Sequence, residues 1–243
     1  MTAAPPKLAI FGDSHYACLR LADNEGLVDL SGMDLEYWGH VGRRFRFLEF
    51  REGAIHPTDE VTAARFAKFN DKGRTFLPAA DFDHVLFMGC RIDLSRTFIG
   101  MLDAVMRGQF LSTGLRRAML REKLENTPNY SWARNMAACG KARIYLHSVT
   151  LFAVGCPLYD PLVNDDLRRA TRAARAEVWQ FIADEMAQDG VTFLPQPDHT
   201  ISGGIYTSLD YITHNSLGEI DFTHRNSAYG ALVFEQLLAK IRA

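Results

Sequence analysis

An α/β fold, with a parallel sheet covered by helices, is what this sequence predicts, and three observations predict it. Short apolar runs rich in β-forming residues recur along the chain. Longer segments with apolar residues at helical spacing lie between them. A length of 243 residues with 47% hydrophobic content is enough to bury a sizeable core, and the expectation is a single domain over 1–243.

The candidate strands are 7–11, 34–38, 84–88, 143–147 and 191–194, each running into a polar or Gly-containing loop. Between the last two, Leu167, Ala170, Ala174, Val178, Phe181, Ile182 and Met186 repeat at helical spacing, which predicts one amphipathic helix over 165–188 with Gly190 at its C-terminal cap. The same pattern through Ala228, Ala231, Leu232, Phe234, Leu238 and Ile241 predicts a docked helix over 227–241. Residues 95–138 form shorter helical stretches broken by Gly108, Gly114 and Pro128. Their length suggests an inserted helical cap, with an elongated crossover as the alternative. No internal repeat or low-complexity tract interrupts the pattern.

Composition narrows the function classes. The net charge is −2 and the isoelectric point about 6.4. Neither nucleic acid nor an anionic membrane is favoured by such a balance. The stretch 1–7 lacks a basic segment followed by a long apolar one, and no segment approaches the roughly 20 apolar residues of a membrane span. A soluble, cytoplasmic protein is therefore expected. Cys18, Cys90, Cys139 and Cys156 are dispersed without C-x-x-C spacing, which fits reduced, mostly buried thiols. The basic and aromatic run Arg43-Arg44-Phe45-Arg46-Phe47 reads as an edge strand with a solvated basic face, in preference to a surface for an acidic sugar, a phosphate or a nucleic-acid strand.

Two motifs carry chemistry. Phe11-Gly12-Asp13-Ser14-His15 follows the first strand and opens a helix, a place where a serine hydroxyl is exposed beside backbone N–H groups. By itself this is also an ordinary turn and helix cap. Near the other end, Asp221-Phe222-Thr223-His224 precedes the last helix, and an Asp three residues before a His can orient the imidazole. The order Ser14, Asp221, His224 leaves the sheet to bring the groups together, as loops collect at the carboxyl ends of parallel strands.

With both motifs in view, Gly12-Asp13-Ser14 after the first strand and Asp221-x-x-His224 before the last helix, the chain resembles the SGNH (GDSL-type) hydrolase superfamily. A second family block is a glycine after the second strand; Trp38-Gly39-His40-Val41-Gly42 supplies it, with Gly42 in the better register. A third is Gly-x-Asn-Asp after the third strand, where this chain reads Gly89-Cys90-Arg91-Ile92-Asp93. The resemblance implies a three-layer α/β/α, flavodoxin-like sandwich with a central parallel sheet. It implies Ser14 as nucleophile, His224 as base and Asp221 as its orienting carboxylate. The oxyanion hole would be the Ser14 and Gly42 N–H groups, with Arg91 in the register of the family's asparagine donor.

Three roles are open to Arg91: oxyanion donor, grip on an anionic substituent, or ion pair with Asp93 or Glu219. Arg91, Arg43 and His15 are the candidate substrate-binding residues. The implied activity is hydrolysis of a short-chain acyl ester on a small molecule or saccharide, through an acyl-enzyme, with no metal and no cofactor. Three alternatives remain: an O-acyltransferase acting on a saccharide, an inactive glycan-binding module, and a metal-dependent hydrolase drawing on Asp198, His199, Asp210, His214, Asp221 and His224. The oligomeric state is not specified by the sequence.

Overall fold

The computed structural model describes residues 4–158, 162–215 and 217–243. The chain opens with β1 (Lys7–Gly12), α1 (Ala17–Asn24) and β2 (Asp34–Gly39). A small antiparallel sheet follows from β3 (Leu48–Arg51), β4 (Ala54–Pro57) and β5 (Leu77–Pro78), with α2 (Glu60–Phe69) inserted before its last strand. Next come β6 (His84–Gly89), α3 (Ser95–Met106), α4 (Thr113–Glu125), α5 (Pro128–Ala138) and β7 (Arg143–Ser148). The final part holds α6 (Asp165–Arg168), α7 (Arg172–Ala187), β8 (Val191–Phe193), the short hairpin β9 (Ile201–Ser202) and β10 (Tyr206–Thr207), the hairpin β11 (Ile212–His214) and β12 (Ile220–Arg225), and α8 (Ser227–Arg242).

The central sheet has five parallel strands in the order β2-β1-β6-β7-β8. Counting only these strands along the chain gives 2-1-3-4-5, the flavodoxin-like winding. Its middle strands are buried on both faces, and successive side chains go to opposite layers. From β1, Leu8 and Ile10 join Cys18 and Leu19 of α1 and Val233, Phe234 and Leu237 of α8. Ala9 and Phe11 join the other layer with Trp38, Phe87, Phe98, Trp132 and Ile182. The three-layer sandwich follows from this alternation. The Phe11 ring lies 5.3 Å from Phe87, 5.4 Å from Phe45 and 6.4 Å from Phe66, so it ties the strand before Ser14 to three other segments. Truncating so central an aromatic costs about 3–5 kcal/mol.

Three expectations are corrected. The helix over 165–188 is two helices: Asn164 caps α6 and Thr171 caps α7, accepting from the Ala174 N–H at 3.2 Å. Apolar spacing runs through the break because Leu167, Ala170 and Ala174 are all buried in the same core, so periodicity could not reveal it. The run 43–47 is no edge strand but part of a 3-10 turn, Gly42–Phe47, which buries Phe45. Burial at Phe45 and Leu48, three apart, is the 3-10 period rather than the alternation of a strand. The stretch 95–138 is helical, yet α3 and α5 supply core residues such as Phe98, Leu102, Ala133 and Met136. They form part of the sandwich layer rather than a separate cap. All four cysteines are free, with Cys139 exposed and the others buried. Among the described residues no helix is long and apolar enough to cross a membrane.

Candidate active site

The switch point of a 2-1-3-4-5 sheet lies between its first and third strands, where the connections leave in opposite directions. Ser14 sits there, just past the carboxyl end of β1. Asp13 is extended and caps the 3-10 turn Ser14–Tyr16, its Oδ1 accepting the His15 N–H at 3.2 Å. Ser14 thus occupies the first position of the turn, where its side chain is exposed and its N–H has no acceptor within the turn.

His224 arrives from β12. Asp221 Oδ1 accepts the N–H groups of Thr223 at 2.9 Å and His224 at 3.1 Å and the Thr223 hydroxyl at 2.7 Å. This local net fixes the carboxylate and leaves Oδ2 for the imidazole. His224 Nδ1 donates to Oδ2 at 2.6 Å, and Ser14 Oγ donates to His224 Nε2 at 2.7 Å across 210 residues of sequence. Burial pushes the Asp221 carboxyl up, but the donors from Thr223 and His224 outweigh it and hold the group well below the usual carboxylate range. Asp221 is therefore an anion placed to stabilise a developing imidazolium. Arg225, buried behind the loop, donates to the carbonyl oxygens of Phe222, His224 and Leu151.

The relative position of Ser14 and His224 is set by the helices that follow them. A Cβ on Gly230 of α8 would stand 2.1 Å from the Cys18 carbonyl oxygen of α1, so only glycine lets the two helices approach this closely. Behind them, His147 Nδ1 donates to the Leu194 carbonyl at 2.9 Å and its Nε2 lies 3.0 Å from the Tyr229 hydroxyl.

The opposite wall is the turn after β6. Gly89, Cys90 and Arg91 all have positive φ, at 68°, 51° and 57°. For two side-chain-bearing residues in succession this is costly backbone, held only by surrounding contacts. Asp13 Oδ2 accepts the Arg91 N–H at 2.9 Å, Asn129 Nδ2 donates to the Cys90 carbonyl at 2.6 Å, and the buried Cys90 Sγ lies 3.3 Å from the Phe11 carbonyl oxygen. A Cβ at Gly89 would fall 2.7 Å from both Asp13 Oδ1 and His15 Cβ, so the turn presses against the serine turn. Asp13 joins the two: one oxygen holds the serine turn and the other holds Arg91.

Gly42 lies alongside. It is the first residue of its 3-10 turn, and the position a Cβ would take there is 3.9 Å from Asp13 Cβ and 3.3 Å from Arg91 NH1. The Ser14 and Gly42 N–H groups are the orphan donors of two adjacent turns, available to a developing oxyanion. Arg91 has no carboxylate within ion-pair distance among the described residues, so neither Asp93 nor Glu219 engages it. Its guanidinium lies over Gly42.

The remaining sequence-predicted residues are sorted by the structure. His15 is half-buried; its ring lies 5.3 Å from that of His224, and its Nδ1 is buried without a hydrogen-bond partner. Burial holds His15 below the usual histidine range, with Asp13 opposing and His224 adding to the effect. It backs the base rather than lining a substrate pocket. Arg43 is exposed and lies outside the cleft beside Arg91, which its neighbour Arg46 lines instead. Among the described residues no group of three His, Cys, Asp or Glu side chains is placed to hold a metal ion. Asp198 is taken by Arg175 at 2.6 Å, and His199 packs against Tyr211. A cleft of about 620 Å³ around Trp179, Gln180 and Gln236 contains none of the triad. Reading the sequence missed the clamp by Asp13 and the hold of Asn129 on the Cys90 carbonyl; Asp13 stood in a recognisable motif and Asn129 did not. No family model and no curated protein matches this chain.

Proposed function

We propose that the protein is a serine esterase of the SGNH type, cleaving a short-chain acyl ester of a small hydroxylated compound such as a carbohydrate. The observation that carries the reading is the continuous hydrogen-bonded line Ser14 Oγ, His224 Nε2, His224 Nδ1, Asp221 Oδ2, at 2.7 Å and 2.6 Å. His224 takes the Ser14 proton as Oγ attacks the ester carbonyl, and Asp221 holds the ring in the tautomer that leaves Nε2 free to accept. The oxyanion of the tetrahedral intermediate receives the Ser14 and Gly42 N–H groups. Imidazolium Nε2 then protonates the leaving alcohol, giving an acyl-Ser14. Water enters by the same route in reverse: His224 removes its proton, the second tetrahedral intermediate collapses, and Ser14 recovers its hydrogen while the acid leaves.

Ser14 is exposed, so ester and water reach it without a rearrangement. A serine-directed fluorophosphonate is expected to label Ser14 stoichiometrically, and labelling is expected to fail in Ser14→Ala and to slow greatly in His224→Ala. Hydrolysis of a short-chain nitrophenyl ester should fall on the order of 10⁶-fold in Ser14→Ala, the scale at which loss of a triad serine is felt. Equal rates in wild type and Ser14→Ala would remove Ser14 from the mechanism.

A further inference from the structure

Beside the Gly89–Arg91 turn, which packs on the serine turn, a cleft of about 500 Å³ opens between the Gly42–Phe47 turn and the facing ends of α4 and α5. Its lining includes Phe45, Arg46, Arg91, Lys123, Asn126 and Trp132, and no Asp or Glu. Phe45 and Trp132, both buried, stack with ring centroids 6.3 Å apart and planes 20° from parallel, and form the packed floor beneath the cations. None of Arg46, Arg91 and Lys123 is ion-paired among the described residues, whereas neighbouring Arg44 reaches Asp59 and Arg121 of α4 reaches Asp189. α5 begins in the same wall. Its cap residue Thr127 donates its hydroxyl to the Lys123 carbonyl at 2.8 Å and gives the helix no side-chain cap.

Three cations and an uncapped helix N-terminus in one cleft repel one another and favour any anion that enters. A guanidinium also matches the planar oxygens of a carboxylate or phosphate with paired N–H donors. Arg91 joins the cleft to the serine turn: its side chain lines the cleft and its Nη1 lies 3.3 Å from where a Cβ on Gly42 would stand, while its backbone N–H is held by Asp13, the residue before Ser14. An anion held by Arg91 therefore sits beside the turn that carries Ser14.

We propose that the ester cleaved at Ser14 carries an anionic group, a carboxylate or a phosphate, and that Arg91, Lys123 and Arg46 bind it in this cleft. This rests on the esterase reading for its chemistry, though the anion site stands on its own lining.

The test compares four esters: phenyl acetate, meta-acetoxybenzoate, meta-acetoxyphenyl phosphate and monophenyl succinate, each rate divided by its uncatalysed rate. At least one anionic ester is expected to exceed phenyl acetate in kcat/KM on the order of 10–100-fold, the scale of a hydrogen bond to a charged group. Which one does so reports the kind of anion and whether it belongs to the acyl or the alcohol side. The ratio to phenyl acetate should collapse toward one in Arg91→Gln and shrink in Lys123→Gln, a helix-surface change that leaves folding intact should Arg91→Gln fail to fold. No preference in wild type, or a preference unchanged in both variants, overturns the proposal. Binding of meta-acetoxybenzoate to the Ser14→Ala protein, followed by tryptophan fluorescence, separates this proposal from the esterase reading. Binding lost in Arg91→Gln supports the anion site even where no ester is turned over, and no binding refutes it. Absent fluorophosphonate labelling refutes the esterase reading alone.

Discussion

The two walls that meet at Ser14 are held in opposite ways. The Asp221–His224 wall is a bulged strand segment with no positive φ and with internally matched charges, every Asp221 oxygen being occupied by a local donor. The Gly89–Arg91 wall is a left-handed turn carrying an arginine without a counter-charge, kept in place from outside by Asp13, Asn129 and the Phe11 strand. The first wall is complete as it stands. The second is stable only as part of a larger arrangement, and an unmatched cation in such a setting is the kind of feature kept for a ligand.

Breaking the first wall should have the largest effect. Asp221→Asn keeps the shape but favours the wrong imidazole tautomer, and kcat on a short-chain ester is expected to fall about 10⁴-fold with the fold intact by circular dichroism. A loss under tenfold would mean that Asp221 does not orient His224. Next comes the residue shared by both walls. Asp13→Ala removes the acceptor of two N–H groups, so turnover should drop on the order of 10²–10³-fold as the oxyanion donors shift, with about 1–3 kcal/mol lost in stability. Lower stability with unchanged turnover would show the two turns to be independent.

The third prediction concerns the support of the first wall. Burial holds His147 down to about 4, against 6.5 in an unfolded chain. Below pH 6.5 the unfolded state takes up a proton that the folded state refuses, so stability is full above that pH and is lost as pH falls toward 4. The total is about 3 kcal/mol, and His147→Gln should flatten this part of a melting-temperature profile. A profile with the same slope in the variant would place the acid sensitivity elsewhere. The smallest effect tests the strain of the second wall: Arg91→Gly relieves a positive φ and should add about 1 kcal/mol, or about 2–4 °C in Tm, while it lowers any preference for anionic esters. A lower Tm would show that Arg91 stabilises the turn and is not held at a cost.

These walls also differ in how far the sequence reveals them. Ser14, Asp221 and His224 sit in short motifs next to predicted elements, so residue type and position alone brought them forward. The central strands were legible as short apolar runs, most plainly β1 and β6, which are buried on both faces. Arg91 was visible as a residue out of pattern, but its role depends on three consecutive left-handed residues that only Gly89 announces. Lys123, Asn129 and Trp132 reach the cleft from helices packed more than thirty positions downstream of Arg91, and no local pattern carries that. The break between α6 and α7 was hidden for a related reason: burial continued across it, and a single capping threonine was the local sign.

The close approach of α1 and α8 at Gly230 has a consequence in time. Ser14 leaves the ribosome 210 residues ahead of His224, and vectorial synthesis gives the early segment no partner until the late one arrives. The parallel strands and α1 can associate first, with an exposed but unactivated hydroxyl. Only when α8 settles onto Cys18 does the imidazole come within reach of Ser14. On the esterase reading proposed above, the helix contact is then what arms the serine, since the Ser14–His224 hydrogen bond can form only once the sandwich closes.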